Sequence, residues 1–241
     1  MAIGPDDLEP VICEHEGHVL RGRVAIPSTG GRHPGVLVLP NAFGLGPDTC
    51  EVASRLAGEG YLAIAADIYG EGAYSEDHEE IGKLVAPLWG NSERLRERMG
   101  VWHDVLKGRP DVLADRIAAI GYCFGGQCVL EFARGGAEVR AVVSFHGILT
   151  TDCPAEPDAV RAFVSVHTGG RDPHVPASDV AALREELTAA GASWQISEYG
   201  DAFHAFTEKS AASPETGRAY DPLADRMSWA STVALLEARL K

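Results

Sequence analysis

The sequence predicts a doubly wound α/β fold, a mostly parallel sheet flanked by helices, with an antiparallel hairpin at its N-terminus. Three observations carry that expectation. Runs such as Gly35-Val36-Leu37-Val38-Leu39 and Tyr61-Leu62-Ala63-Ile64-Ala65 lack polar alternation, as strands covered on both faces require. Intervening segments repeat apolar residues at helical spacing, most clearly Leu95, Met99, Trp102 and Leu106. Strand and helix then alternate to the C-terminus, the order of parallel βαβ units.

Taken in order, Val11–His15 and Val19–Ile26 flank Glu16-Gly17-His18 and read as the hairpin. Pro27 to Pro34 is a loop, and Gly35–Leu39 is a central strand. The loop Pro40-Asn41-Ala42-Phe43-Gly44-Leu45-Gly46-Pro47-Asp48 follows at that strand's carboxyl end, where open α/β sheets place their ligands. Pro47 opens a helix carrying Val52 and Leu56 and closed by Gly60. After the strand at Tyr61–Ala65, the stretch from Glu71 to Gly90 is polar and then carries Leu84, Val85, Leu88 and Trp89, as a helical lid or rim would. The Leu95 to Leu106 stripe is a crossover helix. Later strands are expected at Arg116–Ile120, Val139–Phe145, Ala162–His167 and Trp194–Tyr199. Ser178 is expected to cap a helix with Val180, Leu183 and Leu187 on one face, and Trp229, Val233, Leu236 and Leu240 mark the closing helix.

With 241 residues, 45% of them apolar, and no linker-like stretch, one domain spanning 1–241 is expected. A formal charge of -14 argues against a nucleic-acid or anionic-membrane partner. No apolar run approaches the roughly 18 residues of a membrane span. The start Met1-Ala2-Ile3-Gly4-Pro5-Asp6-Asp7 is acidic and lacks signal-peptide regions, so a cytoplasmic protein is expected. Five scattered cysteines give neither a disulfide framework nor a zinc ribbon. His15 and His18, an odd number apart in strand-like sequence, are expected to face opposite ways, and no metal site is expected. Gly44 and Gly46 are followed by Thr49 where a dinucleotide fingerprint needs its third glycine, and there is no phosphate-binding P-loop.

The chemistry centres on Gly121-Tyr122-Cys123-Phe124-Gly125-Gly126, which joins the Arg116–Ile120 strand to a helix. Small residues on either side of Cys123 permit the sharp turn of a nucleophile elbow, here with a thiol. That turn aims sulfur at the N-terminus of the next helix, which favours thiolate over thiol. The Phe124 amide can then hold a developing oxyanion, and the Ala42 amide, in the loop after the first central strand, can supply a second donor. Asp172 lies on a loop just beyond the Ala162–His167 strand, and His204 one loop past the final strand. Nucleophile, acid and base thus follow in the order Cys123, Asp172, His204. An unperturbed thiol is only a few per cent ionised at pH 7, so such a site needs a base, and the base needs an orienting carboxylate.

On Gly121–Gly126, the Asp67-Ile68-Tyr69 segment and the Asp172 and His204 loops, the sequence resembles the dienelactone hydrolase family over nearly its whole length. The resemblance implies an α/β-hydrolase fold and ester or lactone hydrolysis with Cys123 as nucleophile, His204 as base and Asp172 as orienting acid. Phe124 and Ala42 would form the oxyanion hole, with no metal or organic cofactor. Members that cleave dienelactones look to have a Glu where this sequence has Asn41, and arginines for the substrate carboxylate where it has Glu71 and Glu208. A neutral or cationic ester is therefore expected, with Phe43, Phe124, Tyr69, Trp89, His146, Phe203 and Phe206 as pocket walls. The expected partner is this small-molecule ester, with oligomeric state open between monomer and homodimer. Activated phosphotriesters are a second substrate class for the same residues. A non-catalytic small-ligand receptor and a redox-sensing thiol are the alternatives of another kind.

Overall fold

The fold is built on one eight-stranded sheet in the order β1-β2-β4-β3-β5-β6-β7-β8. The computed structural model describes residues 7–241, so the acidic start, residues 1–6, lies outside the described residues. Its strands are β1 (Glu9–His15), β2 (His18–Ala25), β3 (His33–Leu39), β4 (Leu62–Ala65), β5 (Val112–Tyr122), β6 (Ala141–Phe145), β7 (Phe163–Gly169) and β8 (Trp194–Tyr199). From β4 to β8 every neighbouring pair is parallel, while β1 pairs β2 and β2 pairs β4 antiparallel. The mostly parallel sheet and the N-terminal hairpin are those the sequence predicts.

The hairpin turn is Glu16-Gly17, with φ of 50° and 78°. Positive φ at both central residues is what a two-residue I′ turn requires, because its twist matches that of the flanking strands. The tight turn corrects one expectation. His15 and His18 lie on opposite strands as ladder partners and therefore share a face.

Helices α1 (Pro47–Gly58), α2 (His78–Val85), α3 (Ser92–Lys107), α4 (Phe124–Arg134), α5 (Ala177–Ala189) and α6 (Pro222–Leu240) complete the layers. The residues of α3, α4 and α5 pack on one face of the sheet, where Leu95, Met99, Trp102 and Leu106 are all buried. Leu56 of α1 and Trp229, Leu236 and Leu240 of α6 cover the other. Apolar residues alternate between these faces along each strand, so Ala118 and Ile120 of β5 face α1 and α6 while Ile117 and Ala119 face α3 to α5. Helix α5 begins one residue earlier than its predicted cap. Pro176 is extended and precedes it, and Ser178 sits in the first turn with its hydroxyl turned to Asp179.

Helix α4 is buried along its whole length, including Glu131 and Arg134. These charges are tolerated because each is paired: Arg134 with Glu131 at 2.9 Å and with Glu186 of α5 at 2.8 Å, and Glu131 also with Arg96 of α3 at 2.8 Å. The network ties the helix behind Cys123 to both of its neighbours. A short antiparallel pair, β9 (Ala212–Ser213) and β10 (Arg218–Ala219), was not predicted. Two-residue strands carry no periodic signal.

Trp102 is fully buried and its indole donates to the Asp67 carbonyl at 2.6 Å, whereas Trp89 is 56% exposed. Trp102→Ala is expected to cost about 3–5 kcal/mol of unfolding free energy by urea titration, and Trp89→Ala about 0.5 kcal/mol or less.

Candidate functional site

Cys123 is the residue between β5 and α4, held at φ 52° and ψ -112°, a region an L-residue enters only under constraint. Its amide donates to the Phe145 carbonyl at 3.0 Å, which anchors the turn to β6. The glycines explain why the turn closes. A Cβ on Gly125 would lie 2.4 Å from the Pro40 carbonyl oxygen, and one on Gly121 would lie 2.1 Å from that of Gly125. Backbone therefore packs on backbone around Cys123, as the elbow reading of G-Y-C-F-G-G requires.

Asp172 lies just beyond β7 and His204 beyond β8. The His204 backbone is pinned by the β10 hairpin: its N–H donates to the Gly217 carbonyl at 2.9 Å and its carbonyl accepts from the Ala219 N–H at 3.2 Å. His204 Nδ1 is 2.7 Å from Asp172 Oδ2, and Nε2 is 3.1 Å from Cys123 Sγ. A carboxylate only accepts, so Nδ1 carries the proton and Nε2 faces sulfur. The other Asp172 oxygen accepts from the His174 N–H at 2.8 Å, which fixes the carboxylate's plane.

Asp172 and His204 are 4% and 3% exposed. Burial alone pushes the His204 imidazole down, but its contacts with the Asp172 carboxylate and the Cys123 sulfur more than reverse this and raise it to about 10. The chemical consequence is an imidazole that readily takes a proton beside the Cys123 sulfur.

The remaining expected residues divide. Phe124 is the first residue of α4, where an amide has no acceptor within the helix. The Ala42 peptide is held by the Tyr69 hydroxyl, which donates to its carbonyl at 3.0 Å. The Phe124 ring is stacked on Tyr69 at 6.0 Å and on Trp89 at 6.4 Å, but Phe124 and Tyr69 are themselves buried, so of the three only Trp89 offers a surface. Two more expected walls have no surface to offer. His146 and Phe206 are both fully buried. His146, at φ 39°, packs behind His204 with ring centroids 5.2 Å apart and its Nε2 2.8 Å from Thr207 Oγ1; Phe206 backs His146 in turn. Phe203 is half-buried beneath the Arg171 guanidinium.

The acidic residues also differ from expectation. Glu71 is exposed and pairs with Arg21 of β2 at 2.9 Å. Glu208 accepts from Asn41 Nδ2 at 3.0 Å and from Arg218 at 2.9 Å. Each carboxylate therefore has a guanidinium partner, and the like-charge argument drawn from the sequence loses its force. Arg218, which also lies over the Phe43 ring at 5.4 Å, went unnoticed in the sequence because it sits in the short hairpin. His174, edge-on to His204 at 5.0 Å, went unnoticed for a similar reason, since a loop histidine carries no pattern.

A family model described as the dienelactone hydrolase family matches residues 20–240. The chain belongs to the dienelactone hydrolase family. As a member it is an enzyme of the ester- and lactone-hydrolase class. A solved structure named m3DLH is 36% identical with a TM-score of 0.91, covering 97% of this chain and 98% of its own. A crystal structure from metagenomic libraries, described as a dienelactone hydrolase-like promiscuous phosphotriesterase, is 32% identical with a TM-score of 0.92 over 97% and 98% of the two chains. A Bradyrhizobium protein named, with a qualifier, for 2-oxo-3-(5-oxofuran-2-ylidene)propanoate lactonase activity is 28% identical, covering 90% of this chain and 88% of its own.

The raised His204 value fixes the sign of a stability dependence. Below about pH 6.5 the imidazole is protonated whether the chain is folded or not, and its stabilisation is complete. Above that, the native state holds a proton the unfolded chain has lost, so the contribution falls as pH rises and is gone above about 10. Urea unfolding at pH 6, 8 and 10 is expected to show the stability gap between the native protein and His204→Gln narrowing with rising pH.

Proposed function

We propose that this dienelactone hydrolase family member cleaves a carboxylic ester or lactone through a thioester on Cys123. One observation carries the reading: a buried relay in which Asp172 lies 2.7 Å from one His204 nitrogen and Cys123 sulfur 3.1 Å from the other. Sulfur attacks the carbonyl carbon while its proton resides on His204 Nε2. The carbonyl oxygen becomes an oxyanion held by the Phe124 and Ala42 amides. Collapse breaks the ester C–O bond, and the departing alkoxide takes the proton from His204. A water molecule then gives a proton to His204 and attacks the thioester; collapse releases the acid and returns sulfur to the relay.

Asn41 cannot accept a proton, and its amide is engaged with Glu208, so activation of sulfur rests on His204 in this reading. The substrate is taken to be uncharged at the reacting end. The Arg218 charge is balanced by Glu208 and the Arg21 charge by Glu71, which leaves neither guanidinium free to anchor a carboxylate. Trp89, exposed and backed by the buried Phe124 ring at the start of α4, suits an apolar group of the substrate. The proposal treats the chain as one cytoplasmic domain, monomeric or homodimeric, and its five unbridged cysteines fit a reducing compartment.

A second reading is favoured by the 32% identical metagenomic phosphotriesterase. The same sulfur attacking phosphorus would expel an activated alkoxide and leave an S-phosphoryl enzyme for water to resolve. A paraoxon burst without continued turnover would indicate that this resolution is the slow step.

Hydrolysis of p-nitrophenyl acetate followed before the steady state is expected to show a burst of one equivalent. Cys123→Ala should abolish the burst and lower kcat/KM by at least about 10³-fold, and Asp172→Asn should lower it by about 10²–10⁴-fold. A receptor would show neither burst nor turnover, and a redox thiol would be oxidised by peroxide with no ester cleavage.

A further inference from the structure

The direction of the Ala42 amide is set by a turn held at three points. Strands β3 and β5 are parallel neighbours with Leu39 opposite Gly121, so the turn after β3 and the turn at Cys123 leave the same edge of the sheet side by side. In the first of these turns the Asn41 carbonyl accepts from the Gly44 N–H at 3.2 Å, and the Asn41 side-chain oxygen accepts from the Phe43 N–H at 3.0 Å. The Tyr69 hydroxyl donates to the Ala42 carbonyl at 3.0 Å, and the Tyr69 ring is stacked on Phe124. The Ala42 N–H, opposite the held Asn41 carbonyl in the same trans peptide, has no acceptor among the described residues.

The Asn41 side chain is itself held. Its Nδ2 donates to Glu208 Oε1 at 3.0 Å, and the other Glu208 oxygen accepts from Arg218 at 2.9 Å. Glu208 is 8% exposed, so its charge is met by Arg218 more than by bulk water. Arg218 lies between Gly217, whose carbonyl accepts from the His204 N–H, and Ala219, whose N–H donates to the His204 carbonyl. One hairpin therefore holds the base through its backbone and reaches, through a single side chain, the turn that carries the Ala42 amide. The guanidinium meets that turn a second way, 5.4 Å from the centre of the Phe43 ring.

We infer that Asn41 is a positioning residue for the oxyanion donor at Ala42, anchored by Glu208 and Arg218 to the hairpin that holds His204. The inference rests on the thioester reading and concerns the same site. A donor stabilises an oxyanion only if it already points where the charge develops, and a displacement of about 1 Å costs on the order of 10²-fold in rate. Asparagine suits the place because it accepts from Phe43 and donates to Glu208 at once, whereas a carboxylate there would face Glu208 with like charge. The role leaves activation of sulfur to His204.

Two reactions of Cys123 separate this role from others. Ester cleavage passes through an oxyanion in both acylation and deacylation, whereas alkylation by iodoacetamide displaces iodide from a methylene carbon and needs the thiolate but no oxyanion donor. In Asn41→Ala, kcat for p-nitrophenyl acetate is expected to fall about 10–100-fold with KM little changed, while the alkylation rate stays within about twofold of the unsubstituted protein across its pH profile. Arg218→Ala, at a partly exposed side chain, should lower kcat in the same way, and Arg218→Lys, which returns a cation to Glu208, should recover most of the loss; this pair serves if Asn41→Ala does not fold. Undiminished turnover in the folded variants, or alkylation that falls in step with turnover, overturns the positioning role alone. Absence of p-nitrophenyl acetate cleavage by the unsubstituted protein overturns the hydrolase reading and this role with it.

Discussion

Backbone packed against backbone around Cys123 is the constraint on which the site depends. A cysteine at φ 52° is strained, and it stays there because its amide is bonded to β6 and the glycines after it let α4 lie against the Pro40 carbonyl. The helix that begins at Phe124 is in turn held by Glu131 and Arg134, whose ion pairs reach α3 and α5. Burying those charges is costly unless all are paired, so the network permits few other placements of α4. The strain at sulfur is thus met by packing far from it.

His204 reaches sulfur by a different device. It lies on a loop, but the loop is stitched to β10 through two backbone hydrogen bonds and backed by fully buried His146 and Phe206. Both residues are buried, so the Asp172 carboxylate acts on the imidazole at short range, and its contact together with that of the Cys123 sulfur outweighs the desolvation that would otherwise keep the ring neutral. The loops past β7 and β8 bring a carboxylate and an imidazole to Cys123 because parallel strands deliver their carboxyl ends to one edge of the sheet.

Much of this was legible in the chain. The Leu95–Leu106 stripe and the β-branched runs identified helix and strands because burial on one face, or on both, dictates a period. The order Cys123, Asp172, His204 was legible because each follows a strand. Other features left no trace. The pairing of Glu71 with Arg21 and of Glu208 with Arg218 joins residues remote in sequence, and it reverses the reading of those carboxylates as repulsive. His146 and Phe206 looked like pocket walls by their place after strands, and only packing shows them to be buried behind His204.

By itself the sequence determined the alternating α/β order and that Cys123, Asp172 and His204 each follow a strand, since periodicity and glycine spacing are local properties. Tertiary structure alone decided which charges are neutralised and which aromatics are buried. Those outcomes depend on distances between segments far apart in the chain, and burial and electrostatics act through such distances.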